Sequence, residues 1–526
     1  MHPRIILTSD RSWMSEYSGI MFLGFATCFP KGFLPDFLFF KIFCPPVEQK
    51  NGVVKYAPYG LRKIEASLLE NGFNQEDIAV IDPEHIGRYI RHAKVVGIGG
   101  NDILGKGPTT QIITQIIGVD SKKAYSAFKF HELYYRLQKY KKKYNFKTIL
   151  GGPGSWQVLG ENYDIDCVVL GEAENIAADL FRKALNGEEL PRQVEGTIVD
   201  VEKIPLIKNP SLGGLVEITR GCGRGCSFCT PTMRAFRSYP VEKILKEIML
   251  NVKAGRDLVL LHGEDVLRYQ ANGFRVNRPK VEQLFREVAR LVPKENINMS
   301  HIALSSALQE PRLIENITEI LNLGSKEYPW TSAQTGIESA SSRLIAKYMK
   351  GKTLPYTAEQ WREVVMESFK LLAGNNWVPC ATLIMGLPGE RPDDIVKTTE
   401  LVDDLKDYKS LIIPLFYVPM GTAAIGELFT KEKMHYEHWE LLAASAKHSI
   451  KWMKGLAYDT MNLKSHGFSK AGLDMVVKIW ERSTLPYLDS IRDGQIILPR
   501  NLMDTALGLI AKKPIGKLYM KKEVGK

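Results

Sequence analysis

Short apolar runs alternate with helical stretches along most of this 526-residue chain. Five such runs lie in the first third of the sequence, and a glycine or an aspartate follows each of them within a few residues. Strands that alternate with helices form parallel sheets, and glycines at their carboxyl ends are typical of an open, doubly wound α/β domain. The predicted strands cover residues 5–8, 78–81, 95–98, 148–150 and 167–170.

The same alternation resumes after a segment rich in proline and glycine at 196–215. Six further strand–helix units predict a second, curved parallel sheet, which is either a partial (β/α)6 barrel or another doubly wound domain. From about residue 428 the spacing of apolar residues becomes helical. The predicted organisation is therefore a Rossmann-like domain at 1–195, a linker at 196–215, a core at 216–427 and a mainly helical extension at 428–526. The six later strands are predicted at 215–219, 258–261, 302–304, 332–335, 381–385 and 410–413.

Composition excludes several classes of protein. Apolar residues make up 44% of the chain and charged residues 25%, which excludes bulk disorder, collagen and coiled coil. The net charge is +11, but residues 511–526 hold six lysines against one glutamate, a pattern typical of a solvated tail. The first residues lack a secretory signal, so a cytoplasmic location is predicted. The aromatic segment 19–45 is too interrupted to span a membrane, and we expect a buried arm rather than a membrane-surface contact.

Three of the seven cysteines lie within eight residues, directly after a predicted strand. Cys222, Cys226 and Cys229 have the spacing C-x3-C-x2-C, and the glycines between them let the loop fold tightly. A structural zinc site needs four ligands, and no fourth cysteine or histidine is near in sequence. An iron–sulfur cube held by three cysteines leaves one iron open to a substrate. The other four cysteines, 28, 44, 167 and 380, are interpreted as small buried residues without disulfides.

With Phe228 before its last cysteine, this loop resembles that of the radical S-adenosylmethionine (SAM) superfamily. The resemblance implies that Cys222, Cys226 and Cys229 hold a [4Fe–4S] cluster and that SAM chelates the open iron. It also implies reductive cleavage of SAM to methionine and a 5′-deoxyadenosyl radical. The reducing electron implies a partner protein such as a ferredoxin or a flavodoxin.

Three glycine-rich turns at later strand ends extend the resemblance. The first, at 262–264, stands where the family has Gly-Gly-Glu, and its carboxylate is expected to bind the ammonium group of SAM. A histidine replaces the first glycine there. The run at 336–341 resembles the family's GIESGS, and the run at 386–390 its GLPGE turn. The cofactor-binding residues predicted from these matches are Phe228, Gly263, Glu264, Glu338, Ser339 and Gly386.

The first domain resembles the cobalamin-binding domain of the class B radical SAM enzymes. Glycines at its strand ends allow a flat macrocycle and its nucleotide tail to lie against the backbone. A nucleotide-binding or purely structural Rossmann-like domain is the alternative, although the glycines do not form a G-x-G-x-x-G fingerprint. The residues predicted to contact cobalamin are Asn101, Asp102, Gly105, Gly151, Gly152, Gly171 and Glu172.

The family's histidine ligand to cobalt belongs to an Asp-x-His-x-x-Gly motif after the first strand. Here that strand is followed by Asp10-Arg11-Ser12, and His85 follows the second strand with a different spacing. We therefore predict cobalamin without a histidine ligand, with His85 in a surface turn. The residue beneath cobalt is not predicted.

The two resemblances together imply a cobalamin-dependent radical SAM methyltransferase that methylates an unactivated sp3 carbon, with methylcobalamin as the methyl donor. Family members modify peptides, antibiotic precursors and lipids, and archaeal relatives include a glutamine C-methyltransferase acting on methyl-coenzyme M reductase. A protein or peptide, modified after translation, is the predicted substrate. The alternatives are a ring-forming or lipid-modifying enzyme without methyl transfer, and a non-catalytic cofactor-binding sensor. No zinc finger or stacking platform is present in the sequence, so nucleic acid is not an expected partner.

Overall fold

Six parallel strands of the first domain form one open sheet. The structure is a computed structural model that describes residues 2–17, 21–32, 35–230, 233, 235–420 and 425–463. The strand order is β2-β1-β3-β4-β5-β6, so the winding direction reverses between β1 and β3. The five predicted strands are confirmed. The sixth was not predicted because it is short and polar. The strands are β1 Ile5–Ser9, β2 Ile78–Val80, β3 Val95–Gly99, β4 Lys147–Gly151, β5 Cys167–Leu170 and β6 Gln193–Glu195.

Helices cover both faces of this sheet. Ile5 and Leu7 of β1 pack with the helices α1 and α4, whereas Ile6 packs with α3 on the opposite face. This alternation follows from the period of two along a strand. All three side chains are almost completely buried, so the sheet is doubly wound as the sequence predicted. The helices are α1 Tyr59–Glu70, α2 Pro108–Ile117, α3 Tyr125–Lys141 and α4 Ala177–Leu185.

The second domain contains six parallel strands that follow one another in sequence order. Two three-stranded groups are joined by backbone hydrogen bonds, from Ile302 N–H to Gln334 O at 2.9 Å and from Gln334 N–H to Ser300 O at 2.8 Å. The result is a partial (β/α)6 barrel with helices outside, which confirms the predicted fold class. The strands are β7 Leu215–Glu217, β8 Val259–His262, β9 Ile297–Met299, β10 Thr331–Glu338, β11 Trp377–Met385 and β12 Leu411–Phe416.

Helices follow each of the first five barrel strands, and a long helix follows the last. The helix α13 is the described part of the predicted carboxyl-terminal extension, and the remainder of 428–526 beyond 463 lies outside the described residues. None of the described helices is both long and apolar enough to span a membrane. The helices are α5 Val241–Lys253, α6 Arg278–Val288, α7 Leu304–Gln309, α8 Pro311–Leu321, α9 Ser342–Tyr348, α10 Lys350–Thr353, α11 Trp361–Gly374, α12 Pro392–Asp404 and α13 Tyr436–Leu463.

One predicted barrel strand was wrong. The apolar run at 302–304 was assigned to the third strand, but β9 lies at Ile297–Met299 and pairs in register with Val259–Leu261. Ile302 lies in the connection before α7 and Leu304 is the first residue of α7, and both are buried in the core of the barrel. Burial alone therefore made this run apolar, and a short apolar run does not distinguish a strand from a buried helix start.

Two connecting segments pack tightly. In the predicted linker 196–215, Val199, Val201 and Ile204 are buried in the core of the second domain. In the aromatic segment 19–45, the ring of Phe39 stacks on Tyr125 of α3 with centroids 3.7 Å apart, whereas Phe37 is 74% exposed, so the predicted arm is buried only in part. Residues 18–20 and 33–34 lie outside the described residues. The domain boundaries themselves remain predictions.

Candidate active site

The cysteine loop begins just beyond the carboxyl end of β7, at the mouth of the partial barrel. Its glycines 221, 223 and 225 have φ of 68°, 67° and 67°, which only glycine adopts readily. These turns bring the N–H groups of Cys222 and Gly223 to the same acceptor, Met233 O, at 3.0 Å each. The glycines that the sequence analysis singled out are therefore required by the backbone of the loop.

The three cysteines come together as thiols suited to a cluster. The Cys229 thiol hydrogen-bonds to Cys226, which lowers the pKa of Cys226 to about 7 and raises the pKa of Cys229. Cys222 lies close enough to interact electrostatically with both. Within the described ranges, no three His, Cys, Asp or Glu side chains converge to hold a single metal ion. A [4Fe–4S] cube fits better, because each thiolate would bind a different iron.

Two buried arginines, Arg224 and Arg268, hold the cysteine loop in place. Arg224 donates from Nη1 to the carbonyl oxygens of Gly351 and Lys352 at 3.0 and 2.9 Å, and its Nη2 pairs with Asp265 at 3.1 Å. Arg268 donates to the carbonyl of Cys222. Sequence reasoning missed both arginines, although an arginine inside a glycine-rich cysteine loop was a visible signal. Their role is to hold the loop backbone in one conformation.

A buried ion pair lies beside the cysteines. Lys352 Nζ is 3.0 Å from Glu338 Oε1, and the Thr382 hydroxyl donates to Glu338 Oε2 at 3.2 Å. Burial disfavours the ammonium, but Glu338 and Cys226 outweigh it and raise the pKa of Lys352. The sequence analysis predicted Glu338 as a cofactor contact and missed Lys352. The ion pair holds the ammonium of Lys352 next to the thiols of Cys226 and Cys229.

Glu264 follows β8 and faces the same mouth. The N–H of the preceding Gly263 donates to Ser300 Oγ at 3.1 Å. A Cβ on Gly263 would lie 2.2 Å from Thr219 Oγ1, so this position has no room for a side chain. Glu264 is partly exposed and makes no hydrogen bond or ion pair with the part of the chain that the structure describes. Its charge acts on Cys222 and on His301. A free carboxylate in this position suits an ammonium group.

The change Glu264→Gln is expected to weaken SAM binding by roughly one to two decades, because a hydrogen bond to a charged group contributes about 1.5–3 kcal/mol. Equilibrium binding of SAM to the reconstituted protein measures the effect, with iron content as the check on the cluster. Glu295→Gln, at an exposed position before β9, is the matched control. Equal SAM affinity in both variants would show that Glu264 does not contact SAM.

The turn after β11 is covered by the segment that leads to α13. Gly386 has φ of 86°, and a Cβ there would lie 1.9 Å from the ring of Phe429. Its N–H donates to Glu390 at 2.6 Å, and Glu390 also bonds to His438 Nε2 at 3.0 Å. Together they line a cavity of ≈ 300 Å³. Of the other predicted contacts here, Phe228 packs partly buried on the barrel core. Ser339 Oγ accepts from Ser341 N–H in its own turn and shares a hydrogen bond with the Thr398 hydroxyl of α12.

Gly386→Ala is expected to destabilise the protein more than Gly389→Ala. Both positions have positive φ, which costs an alanine about 1–2 kcal/mol. Only at Gly386 would the new methyl also displace Phe429, since the nearest atom to a Cβ at Gly389 is Lys347 Nζ at 3.8 Å. Thermal melting of the two variants measures the difference. Equal melting temperatures would mean that Phe429 does not pack against the turn.

In the first domain, the predicted cobalamin residues lie at the carboxyl edge of the sheet. Gly100 N–H donates to Gly151 O at 3.0 Å, which brings the loops after β3 and β4 together. The first loop, 100–105, includes Gly105, and the second, 151–154, includes Gly152. Asn101 is exposed. Asp102 accepts from Gly107 N–H at 2.8 Å and from Gln157 at 2.9 Å, so it braces its own loop.

The remaining predicted residues of this edge are engaged elsewhere. Gly171 leads into Glu172, whose carboxylate pairs with Arg220 at 3.1 Å and with Arg237, both from the second domain. His85 lies in the turn after β2, 3.0 Å from Asp82, as predicted for a turn histidine. The edge therefore offers backbone and glycines for a flat ligand, while Asp102 and Glu172 already have protein partners.

Comparison with known proteins identifies the barrel. Residues 216–402 match the model of the Radical SAM superfamily, so this part of the chain is a radical SAM domain, which implies an enzyme with a [4Fe–4S] cluster and SAM. Similar sequences include the tRNA-2-methylthio-N(6)-dimethylallyladenosine synthase of Orientia tsutsugamushi (strain Boryong), 24% identical over 47% of this chain and 55% of that protein. The ribosomal protein uS12 methylthiotransferase RimO of Clostridioides difficile (strain 630) is 26% identical over 48% of this chain and 50% of its own length. The chain spans about half the length of these curated relatives.

Solved structures match a larger part of the fold. The radical SAM methyltransferase TsrM of Kitasatospora setae, with cobalamin and a [4Fe–4S] cluster, has a TM-score of 0.52 at 12% identity and covers 80% of this chain and 73% of its own. The same enzyme with tryptophan and a SAM analogue gives 0.53 at 14% identity, over 80% and 75%. At this identity the likeness establishes the fold: an open α/β domain joined to a radical SAM barrel.

Proposed function

We propose that this protein is a cobalamin-dependent radical SAM methyltransferase that methylates an unactivated sp3 carbon. The observation that supports this most strongly is the placement of the two sheet edges. The glycine-rich carboxyl edge of the first sheet is joined by buried ion pairs to the residues that precede the cysteine loop. A ligand on that edge would face the cluster across the mouth of the barrel, where ligands of open α/β sheets and barrels bind.

The chain supplies positions for each cofactor. When bound, the cluster with SAM supplies a 5′-deoxyadenosyl radical, and methylcobalamin supplies the methyl group. Cys222, Cys226 and Cys229 hold the cluster, and Glu264 orients SAM through its ammonium group. The loops at 100–105 and 151–154 present backbone to the corrin. The protein's contribution is to hold the substrate carbon between the two edges.

A protein or peptide is the proposed substrate, with a glutamine of methyl-coenzyme M reductase as the specific candidate. Support for this comes from the resemblance of the first domain to the class B enzymes and from the lysine-rich composition. An electron donor such as a ferredoxin or a flavodoxin completes the proposal, and nucleic acid has no part in it.

Methylthio transfer is the second candidate, because the sequence relatives quoted above are methylthiotransferases by name. The ring-forming or lipid-modifying enzyme and the non-catalytic sensor remain further alternatives. They differ in product mass, since methylation adds CH2, methylthiolation adds CH2S, and ring formation removes hydrogen.

The test is the mass change of a candidate peptide incubated with reduced protein, SAM carrying a deuterated methyl group, and methylcobalamin. Replacement of one hydrogen by CD3, or by CH3 in turnovers that use the supplied unlabelled methylcobalamin, matched by formation of 5′-deoxyadenosine, supports the proposal. A gain that includes sulfur moves the protein to methylthio transfer. Loss of hydrogen identifies the enzyme without methyl transfer. Absence of SAM cleavage by the reduced protein indicates the sensor.

The cobalt centre gives an independent prediction. Because no histidine follows β1 and His85 lies in the turn after β2, electron paramagnetic resonance of the Co(II) form is expected to lack splitting from a nitrogen ligand. The variant His85→Ala should give the same spectrum as the parent. A nitrogen triplet that disappears in His85→Ala would contradict coordination without histidine, and failure to bind cobalamin would remove the methyltransferase proposal.

A further inference from the structure

The loop after β5 contacts the segment just before the cysteine loop through buried ion pairs. Arg220 Nη2 lies 2.7 Å from Glu174 and 2.8 Å from Glu217, and its Nη1 lies 3.1 Å from Glu172. The exposed fractions of these side chains are 15% for Arg220, 7% for Glu174 and 8% for Glu172. Arg220 is only two residues from Cys222. One guanidinium thus joins the carboxyl edge of the first sheet to the start of the cluster loop.

A second arginine completes the network. Arg237 pairs with Glu172 and donates to the carbonyl of Val199, while the Tyr239 hydroxyl donates to Glu217 at 2.7 Å. Burial opposes ionisation of Glu217, but Arg220 outweighs it and lowers the pKa of Glu217 to about 2. The carboxylate of Glu217 therefore stays charged at neutral pH.

The role of this network follows from its geometry rather than from its contribution to stability. Buried charges are tolerated only when they are paired, and bidentate arginine–carboxylate contacts require a fixed distance and orientation. Apolar packing would hold the two domains together without the desolvation penalty of buried charges. The ionic contacts between the loop after β5 and the residue before Gly221 therefore specify how far apart the two edges lie.

We propose that Glu172, Glu174, Arg220 and Arg237 form an interdomain clasp that sets the distance between the carboxyl edge of the first sheet and the cluster loop. Glu172 belongs to this clasp and does not bind the corrin. The proposal rests on the proposed function for its meaning, because the distance it sets is that between cobalt and cluster. The four residues are positioning residues and take no part in the chemistry.

The variant Glu174→Gln tests the clasp in the protein loaded with cobalamin and cluster. We expect iron content and cobalamin uptake to match the parent, while the magnetic dipolar interaction between Co(II) and the reduced cluster becomes weaker and more widely distributed. Glu174→Asp, which keeps the charge on a shorter side chain, should give a smaller change and covers the case in which the amide variant folds poorly. Glu287→Gln breaks an exposed arginine pair outside the barrel and is the matched control.

Hydrogen exchange of the cobalamin-free protein tests the same contact without the cofactor. Amides of 219–229 are expected to exchange at least about tenfold faster in Glu174→Gln than in Glu287→Gln, the factor that loss of one charged hydrogen bond corresponds to. Unchanged exchange together with an unchanged dipolar interaction would overturn the clasp.

The two proposals fail in different ways. If the parent takes up no cobalamin, the methyltransferase proposal fails, and the exchange experiment alone decides the clasp. If Glu172→Gln loses cobalamin while Glu174→Gln binds it normally, Glu172 contacts the corrin, and its assignment to the clasp is wrong. If both variants bind cobalamin equally, the assignment stands.

Discussion

Cys226→Ala is expected to abolish reductive cleavage of SAM and to remove most of the bound iron. Cys226 is almost completely buried in the centre of its loop, and its pKa of about 7 makes its thiolate available as a ligand near neutral pH. Loss of one of three thiolates leaves an iron without protein ligand, so the cube is not retained. Reconstituted parent protein should contain about four irons, and the variant far fewer. The readouts are iron analysis and the yield of 5′-deoxyadenosine.

Cys380→Ala is the matched control for this prediction. Cys380 lies in β11, and burial raises the pKa of its thiol to about 12, so it stays protonated and is a poor metal ligand. Its replacement should leave iron content and SAM cleavage close to the parent values. Formation of 5′-deoxyadenosine by Cys226→Ala at the parental rate would contradict the cluster assignment.

Glu247→Ala is expected to destabilise the protein by about 3–5 kcal/mol, the cost of leaving a buried charge without its partner. Glu247 in α5 accepts from Lys63 Nζ of α1 at 2.6 Å, from the Tyr59 hydroxyl at 2.7 Å and from Ile207 N–H at 2.9 Å. The side chains of Lys63 and Glu247 are 3% and 4% exposed, so water does not replace the lost carboxylate. Denaturant unfolding, followed by tryptophan fluorescence, should show an earlier transition.

Two further variants separate charge from packing at this site. Replacing both Lys63 and Glu247 by methionine removes the unpaired charge and should recover much of the stability. Glu48→Ala, which breaks the exposed pair with Lys55, should leave the unfolding transition close to that of the parent. If Glu247→Ala unfolded at the same denaturant concentration as Glu48→Ala, the buried pair would not be formed in solution.

Local patterns in the sequence were sufficient for much of the fold. The runs at 5–8 and 167–170 became β1 and β5 because continuous apolar residues between turn signals are what a strand buried on both faces requires. The same criterion missed β6, which is polar, and misplaced the third barrel strand at 302–304. Both errors have the same cause. A pattern of apolar residues indicates which residues are buried, but it does not indicate whether they pair with a neighbouring strand.

The cysteine spacing and its glycines by themselves determined the most important part of the site. The C-x3-C-x2-C loop, with glycines at 221, 223 and 225, has its conformation encoded within a few residues, since positive φ is a local property. The motifs at the ends of β8, β10 and β11 were likewise readable, because parallel strands bring their carboxyl ends to one edge. Sequence was therefore enough to predict a radical SAM domain and the residues at its mouth.

Only the tertiary structure decided which charges meet. Glu172 was predicted to contact cobalamin from its place after a strand, yet its carboxylate pairs with Arg220 and Arg237, 48 and 65 residues away. Lys352 of α10 pairs with Glu338 at the end of β10. Glu247 of the second domain pairs with Lys63 of the first, 184 residues away in sequence. A carboxylate carries the same signal in sequence whether its partner is a cofactor or an arginine. Which of them it meets depends on how separate elements pack, and this is set by the folded core as a whole.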